Sequence, residues 1–505
     1  MVKGQVCAGS RIPSAAMAIR TNNTPIAEGF ASASREVVLL AAPTIATMMS
    51  YTVMQFVDAL MVSRITPEDP IYLAAQGNGA VWAFVPMTLY AGLCSVVNTY
   101  VAQNLGAGTP ERGPAYVWNV LWIGVGLWVA LLLPMAAMMP WIFGMMHGDN
   151  PRLVELESSY CQILLVGAIF NMVTRGSAQF FYGLHRPGVV LTGAIVGNIV
   201  NFVLNWVLIY GNLGAPKLGV AGSAIATVIG TIAEAAVPCF VFLSAKFDSV
   251  YHTRSQWRPS RKHLRDILRM GWPASLMFAN EIICWAIFMT LLAGRFGVNH
   301  LAAGWIALRY MQTAFLPALG LSFALTASVG KCLGAGRPDL VVQRATIGVL
   351  MAVGWMGACA VIFVVFRESL VLLFVPPETN AQDLEEVVRI GSQIMIIAAI
   401  FQVFDALGIS LIGVLRGAGD TVWPGVLTIV LSWTCIIGLG YTIAVTAPQL
   451  GVVGPWIAAA VYIVLLGLGL LWRFSRGQWR KFNVLDVPTA APSAEAGRDA
   501  PIERA

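Results

Sequence analysis

This chain is dominated by apolar runs of about 20 residues or more, each long enough to cross roughly 30 Å of hydrocarbon as a helix. In a bilayer every backbone N–H and C=O must be satisfied within the protein, so runs of this length have little choice but to be helical. Twelve are placed at 37–63, 71–103, 117–143, 158–182, 188–211, 218–244, 268–294, 301–330, 343–375, 387–415, 422–446 and 452–474. The expected fold class is an all-α polytopic membrane protein. Composition agrees, with 57% hydrophobic and only 11% charged residues, where soluble domains carry about 25% charged. The formal net charge of +6 needs no nucleic acid to explain it, because basic loops on one face of a membrane suffice.

Those loops alternate in basic content. Arg112, Arg186, the run from Lys246 to Arg269, Lys331, Arg337, Arg344, Arg416 and the cluster from Arg473 to Lys481 all fall on one side. The positive-inside rule puts that side, and both termini, in the cytoplasm. The expected location is therefore the cell (inner) membrane. The expected organisation is a cytoplasmic arm over 1–36, a six-helix lobe over 37–245, a basic linker over 246–267, a second six-helix lobe over 268–481 and a disordered tail over 482–505. The arm lacks the apolar segment of a secretory signal, and Met17 is an alternative start. The eight cysteines, Cys7 among them, show no CxxC pair or regular spacing. They read as small buried hydrophobes, with no disulfide framework, resident metal or cofactor expected.

Charge inside these runs is rare and therefore informative. Asp58, Glu281 and Asp405 interrupt otherwise spanning segments, at roughly 2.5–3.5 kcal/mol each on insertion scales. All three are anionic, which points to cations as their partners.

The chain also repeats itself. Ala42-Pro43 answers Trp272-Pro273, Leu73-Ala74-Ala75 answers Leu301-Ala302-Ala303, and Phe84-Val85-Pro86 answers Phe315-Leu316-Pro317. Leu105-Gly106-Ala107-Gly108 returns as Leu333-Gly334-Ala335-Gly336, and Leu218-Gly219-Val220 as Leu450-Gly451-Val452, all at offsets of 228 to 232. A repeat of six helices starts on the same side each time. The two halves are then parallel, related by an axis along the membrane normal, with the working site between or within them.

In this twelve-helix frame the sequence resembles the multidrug and toxic compound extrusion (MATE) family, in its NorM-like branch. The features that carry the resemblance are Val57-Asp58, Leu105-Gly106-Ala107-Gly108, the run Asn201-Phe202-Val203-Leu204-Asn205-Trp206, Tyr210-Gly211, Glu281 after Pro273, and Asp405 ahead of Leu415-Arg416-Gly417. The resemblance covers most of Arg35–Lys481. It implies two pseudo-symmetric six-helix bundles around a central cleft, and export of organic cations in exchange for Na+ or H+. It further implies cation binding at Asp58, Glu281 and Asp405, with Asn201 and Asn205 beside the first of these.

The residues give each candidate its own chemistry. Asn201 and Asn205, spaced i,i+4, share a helix face, and Asp58, Asn201, Asn205 and Thr227 fall at broadly similar depth. Carboxylate, amide and hydroxyl oxygens suit Na+, and a protonated Asp would hydrogen-bond the same groups; the rival is an Asp reaching the interface, with the asparagines as interhelical glue. Glu281 and Asp405 lie deep in their helices, where burial disfavours the charged form and opens proton exchange, while Na+ or an organic cation would favour the ionised form. Their rival reading is structural pairing, for which Arg309 is the possible charge partner. Glu234 stays outside the first rank, Arg175 reads as structural, reaching towards helix ends or loop carbonyls, and His185 as an exposed turn residue. The glycine-rich Gly413–Asp420 stretch lacks a GxxxxGK[ST] arrangement and reads as a tight turn.

Nothing offers ATP hydrolysis or a nucleophile with its base, so the chain is not expected to be an enzyme and the energy source must be an ion gradient. The expected function is a secondary active multidrug efflux transporter working by alternating access. The expected partners are small organic cations and the lipid bilayer, with no nucleic acid, and the expected state is monomeric. The alternatives are a lipid-linked oligosaccharide flippase of the same superfamily, which would call for a basic cavity, and a major-facilitator-type transporter. The acidic–Arg loop characteristic of the latter is replaced here by Gln103-Asn104-Leu105-Gly106-Ala107-Gly108. A channel is a fourth reading.

Overall fold

The computed structural model describes residues 28–65, 71–375, 380–482 and 484–485. Cys7, Met17, most of the expected N-terminal arm and nearly all of the tail lie outside the described residues. Among those described, twelve helices are long and apolar enough to span a membrane. They are α1 (Phe30–Ser63), α2 (Ile71–Gly106), α3 (Pro110–His147), α4 (Pro151–Gly183), α5 (Pro187–Tyr210) and α6 (Gly219–Leu243), followed by α7 (Arg261–Phe296), α8 (Val298–Gly334), α9 (Asp339–Val365), α10 (Ala381–Ala418), α11 (Val422–Thr446) and α12 (Val453–Ser475).

Local chemistry sets several boundaries. Pro151 and Pro187 open α4 and α5, where a missing N–H costs nothing. Asn150 and Asn380 cap α4 and α10, accepting from Leu153 N at 3.1 Å and Asp383 N at 2.9 Å. Gly419, at φ 91°, ends α10 in the left-handed region that a side chain disfavours. Helices α3 and α7 start several residues before the expected positions. Hydropathy marks the part in hydrocarbon, whereas helical hydrogen bonding continues through polar turns such as Arg261–Arg269. For the same reason Arg416, expected in a loop, lies inside the last turn of α10 and is only 3% exposed.

The repeat is realised as a symmetric seam. A Cβ on Gly92 of α2 would stand 2.3 Å from Ser275 of α7, and one on Gly320 of α8 would stand 2.9 Å from Ile45 of α1. Gly92 and Gly320 are 228 apart in sequence, and Ile45 and Ser275 are 230 apart, so these are the same contact made twice. A second reciprocal pair follows: Gly106 against the Lys331 carbonyl (2.1 Å to its would-be Cβ) and Gly334 against that of Gln103 (2.0 Å). Residue i touching j′ while j touches i′ is the signature of a two-fold axis. Only glycine permits backbones this close, which explains the recurrence of Leu-Gly-Ala-Gly.

Polar bonds lock the seam at the end of the bundle that carries the basic loops, here called the basic end. Asn98 Nδ2 donates to Phe323 O (3.1 Å), Thr99 Oγ1 to Arg416 O (2.9 Å) and Gln103 Nε2 to Gly417 O (3.0 Å). Glu36 of α1 binds the fully buried Arg344 of α9 at 2.8 Å and approaches Lys331 of α8 at 3.9 Å. The two halves are therefore pinned together at the basic end.

Candidate cation sites

The structure gathers the four N-terminal candidates. Asp58 of α1, 6% exposed, accepts from Asn205 Nδ2 of α5 at 2.5 Å. The same amide nitrogen reaches Asn201 Oδ1 at 3.2 Å, and Asn201 Nδ2 lies 3.4 Å from Thr227 Oγ1 of α6. The i,i+4 spacing of the asparagines puts both on the face that meets α1 and α6. Gly230 makes room, because a Cβ there would come within 2.8 Å of Asn201. Buried Tyr160 and Gln76 back the site. Asn205 is fully buried, yet its Oδ1 has no hydrogen-bond partner among the described residues. An orphaned buried acceptor costs about 1–3 kcal/mol, and a small cation beside Asp58 would satisfy it. The donor set, one carboxylate with amide and hydroxyl oxygens, is the hard-oxygen chemistry that alkali cations prefer.

The C-terminal candidates also meet. Glu281 of α7 and Asp405 of α10 line one cavity of about 50 Å³, together with Tyr462 of α12, Thr428 of α11 and Ser322 of α8. Phe404, Gly408, Ile412 and Arg416 extend the α10 wall at helical spacing. Neither carboxylate has a hydrogen-bond partner among the described residues, in contrast to Asp58. Organic ligands of drug size occupy pockets of roughly 300–1,000 Å³. In this conformation the cavity admits water or an ion, not a drug-sized molecule.

Three expectations are corrected. Arg309 is exposed and forms no ion pair with Glu281 or Asp405. Helix α8 packs through Ala303, Ala307, Met311 and Ala314, and Arg309 falls outside that stripe. The arginine in the cavity is Arg416, whose guanidinium lies near Phe278 (5.9 Å) and Phe323 (6.0 Å), and whose Nη1 has no hydrogen-bond partner among the described residues. It follows Asp405 by eleven residues, three helical turns on the same face, so spacing alone could have found it. His185 is not an exposed turn residue: its Nε2–H donates across the seam to Ala327 O at 3.2 Å. Burial first, and then the nearby Lys331 charge, pushes its pKa down from 6.5 to about 3. Arg175 reaches no helix end; its Nε donates to Asn171 Oδ1, one turn earlier in α4, at 2.7 Å. Sequence reasoning also missed Gln402, one turn before Asp405, which is 1% exposed with both amide atoms unpartnered. Nothing in an apolar run distinguishes such a glutamine from packing.

Comparison with known proteins gives consistent results. The family model described as MatE matches residues 43–207 and 273–442, one stretch in each half of the repeat. A probable multidrug resistance protein NorM from Pseudomonas putida is 29% identical over 446 residues, covering 86% of this chain and 94% of the relative. Multidrug resistance protein PmpM from Pseudomonas aeruginosa is 30% identical, covering 82% and 84% respectively. Among solved structures, a MOP superfamily transporter from Pyrococcus furiosus, described as having a binding pocket of reverse polarity, superposes with a TM-score of 0.80 at 24% identity, covering 89% and 97%. An outward-facing multidrug resistance transporter of the same superfamily gives 0.79 at 23% identity over the same shares.

Proposed function

This chain belongs to the MATE family, and we propose that it is a secondary active exporter of organic cations, driven by inward movement of Na+ or H+ through alternating access. The observation that carries this reading is the pairing of Glu281 and Asp405 in one aromatic-walled cavity, two carboxylates without hydrogen-bond partners among the described residues. Such a pair is suited to trading one cation for another. Phe278, Phe315, Phe404 and Tyr462 supply stacking and cation–π surface for an amphipathic substrate. The names of the Pseudomonas relatives support multidrug efflux.

The basic end is taken as cytoplasmic, in the inner membrane. The seam is closed there, so exchange with the cytoplasm requires the bundle to open at that end. Na+ or H+ arriving from outside binds Asp58 with its asparagines, or the Glu281/Asp405 pair. Occupancy by the ion and by the organic cation is mutually exclusive, so ion binding expels substrate outward. The bundle then opens at the basic end, releases the ion and accepts the next substrate. One charge crossing 100 mV supplies ~2.3 kcal/mol before any concentration gradient. Proteoliposomes carrying Asp405→Asn test this: uphill efflux of a fluorescent cation should vanish, and full efflux from a well-folded variant would remove Asp405 from the mechanism. Arg416 is the one observation that favours an anionic, lipid-linked substrate, but Glu281 and Asp405 outnumber it in the cavity.

A further inference from the structure

Asp58 sits above a second buried acid that the export cycle has not used. Glu234 of α6 is 8% exposed, and its carboxylate accepts a hydrogen bond from the Tyr51 hydroxyl of α1. Three helices carry the same step: Tyr51 precedes Asp58 by seven residues, Asn198 precedes Asn205 by seven, and Glu234 follows Thr227 by seven. Because α1 and α5 run away from the basic end and α6 runs back, each step leads the same way. Seven residues are two turns, about 10.5 Å of rise with only about 20° of drift. The layer around Glu234 thus lies directly below the Asp58 layer, on the same helix faces, toward the basic end. Asn198 Nδ2 donates to Ser50 O at 3.1 Å, tying α5 to α1 in the lower layer as Asn205 does in the upper.

We propose that Glu234, held by Tyr51, is a second cation station of the N-terminal lobe and that the cation it takes is a proton. The packing is built around this carboxyl: a Cβ on Gly197 would stand 2.7 Å from Glu234 Cβ, and one on Gly193 2.8 Å from its carbonyl. Charged and titratable groups face it from two other helices. Tyr51 comes from α1, and Arg175 and Tyr182 act on it electrostatically from α4. Tyr90 and Cys94 of α2 lie beyond, against Arg175, while α5 contributes only the glycines and the neutral Asn198.

This company separates a proton from a metal ion. The neighbouring guanidinium opposes either cation, but Na+ also needs several oxygens around it, whereas a proton needs only the carboxylate. Arg175 donates its Nε hydrogen bond to Asn171 and acts on Glu234 through its field, with no direct ion pair between the two among the described residues. Such a carboxylate remains free to take a proton, becoming the neutral acid, and to return it toward the basic end. Thr231 lies midway between the two layers on α6, its Oγ1 bonded to Thr227 O at 2.8 Å.

The station extends the proposed antiport to an inner step in this lobe, but its test does not depend on transport. The full-length protein in lipid is titrated with pH and followed by infrared difference spectroscopy. Glu234→Gln should lose one protonated-carboxyl band that Asp58→Asn keeps. Tyr51→Phe should keep that band and shift its frequency, because the hydrogen bond is gone. Identical spectra for Glu234→Gln and the parent across the titration overturn the proposal, as does an unmoved band in Tyr51→Phe. If Glu234→Gln does not fold, the Tyr51→Phe spectrum decides alone. In proteoliposomes, Glu234→Gln should lose pH-driven efflux while keeping substrate counterflow; loss of counterflow as well would assign Glu234 to structure. Counterflow in the parent reports separately on the export reading.

Discussion

The two lobes descend from one repeat yet hold their acids in opposite ways. In the N-terminal lobe Asp58 is bonded by Asn205, which is bonded by Asn201, which reaches Thr227. In the C-terminal lobe Glu281 and Asp405 share a cavity with aromatic rings and Arg416, and neither carboxylate is hydrogen-bonded among the described residues. A fixed set of short polar side chains suits one small ion of defined size. Two unbonded carboxylates among aromatic rings tolerate occupants of different shape. The symmetry of the seam is therefore mechanical, while the chemistry is divided between the halves.

Asp405→Asn, with Glu281→Gln beside it, should separate the two lobes most sharply. Each should abolish uphill efflux and leave the Asp58 site intact, which ion-dependent protection from thermal unfolding would report. Next, Asn205→Ala should lower apparent coupling-ion affinity about tenfold, the effect of roughly 1.4 kcal/mol, and leave substrate affinity unchanged; equal losses of both would erase the distinction between the lobes. Third, Glu36→Gln removes the carboxylate bonded to the buried Arg344, which keeps its bond to Gln343. Breaking a buried pair costs about 3–5 kcal/mol, less here because Glu36 is 20% exposed. Spin labels flanking the seam at the basic end should then report a longer mean distance.

A smaller effect concerns His185, which is neutral in the folded chain because its pKa is pushed from 6.5 to about 3. Below about pH 6.5 the unfolded chain takes up a proton that the folded chain refuses, so this residue's contribution is complete above that pH and is lost on acidification. His185→Gln should flatten the fall in melting temperature between neutral pH and about pH 4. Last, Arg309→Ala should change stability by less than about 0.5 kcal/mol and leave efflux intact, in contrast to any variant of Arg416.

What the sequence disclosed follows from what a bilayer demands. The spans were legible because hydrocarbon requires long apolar helices, and the repeat because Gly106 and Gly334 answer a contact only glycine can make. Asp58, Asn201 and Asn205 were legible because polar residues at i,i+4 stand out in apolar surroundings. The rotation of each helix was not. Lipid is as apolar as the interior, so α8 carries little contrast between its packed and lipid faces, and Arg309 was matched with the wrong neighbours. Arg416 was hidden by hydropathy that ends before the helix does. Glu36 with Arg344, and Glu234 with Tyr51, join positions 308 and 183 residues apart, and neither partner alone announces the other.

Export is here read as driven by a cation gradient through two unlike acidic sites. The most direct test loads proteoliposomes with a fluorescent organic cation and imposes Na+ and pH gradients one at a time. Uphill transport is expected with at least one gradient, with collapse when that gradient is dissipated and no uphill transport in Asp405→Asn. Transport that only runs downhill, indifferent to both gradients and to Asp405, would contradict this reading.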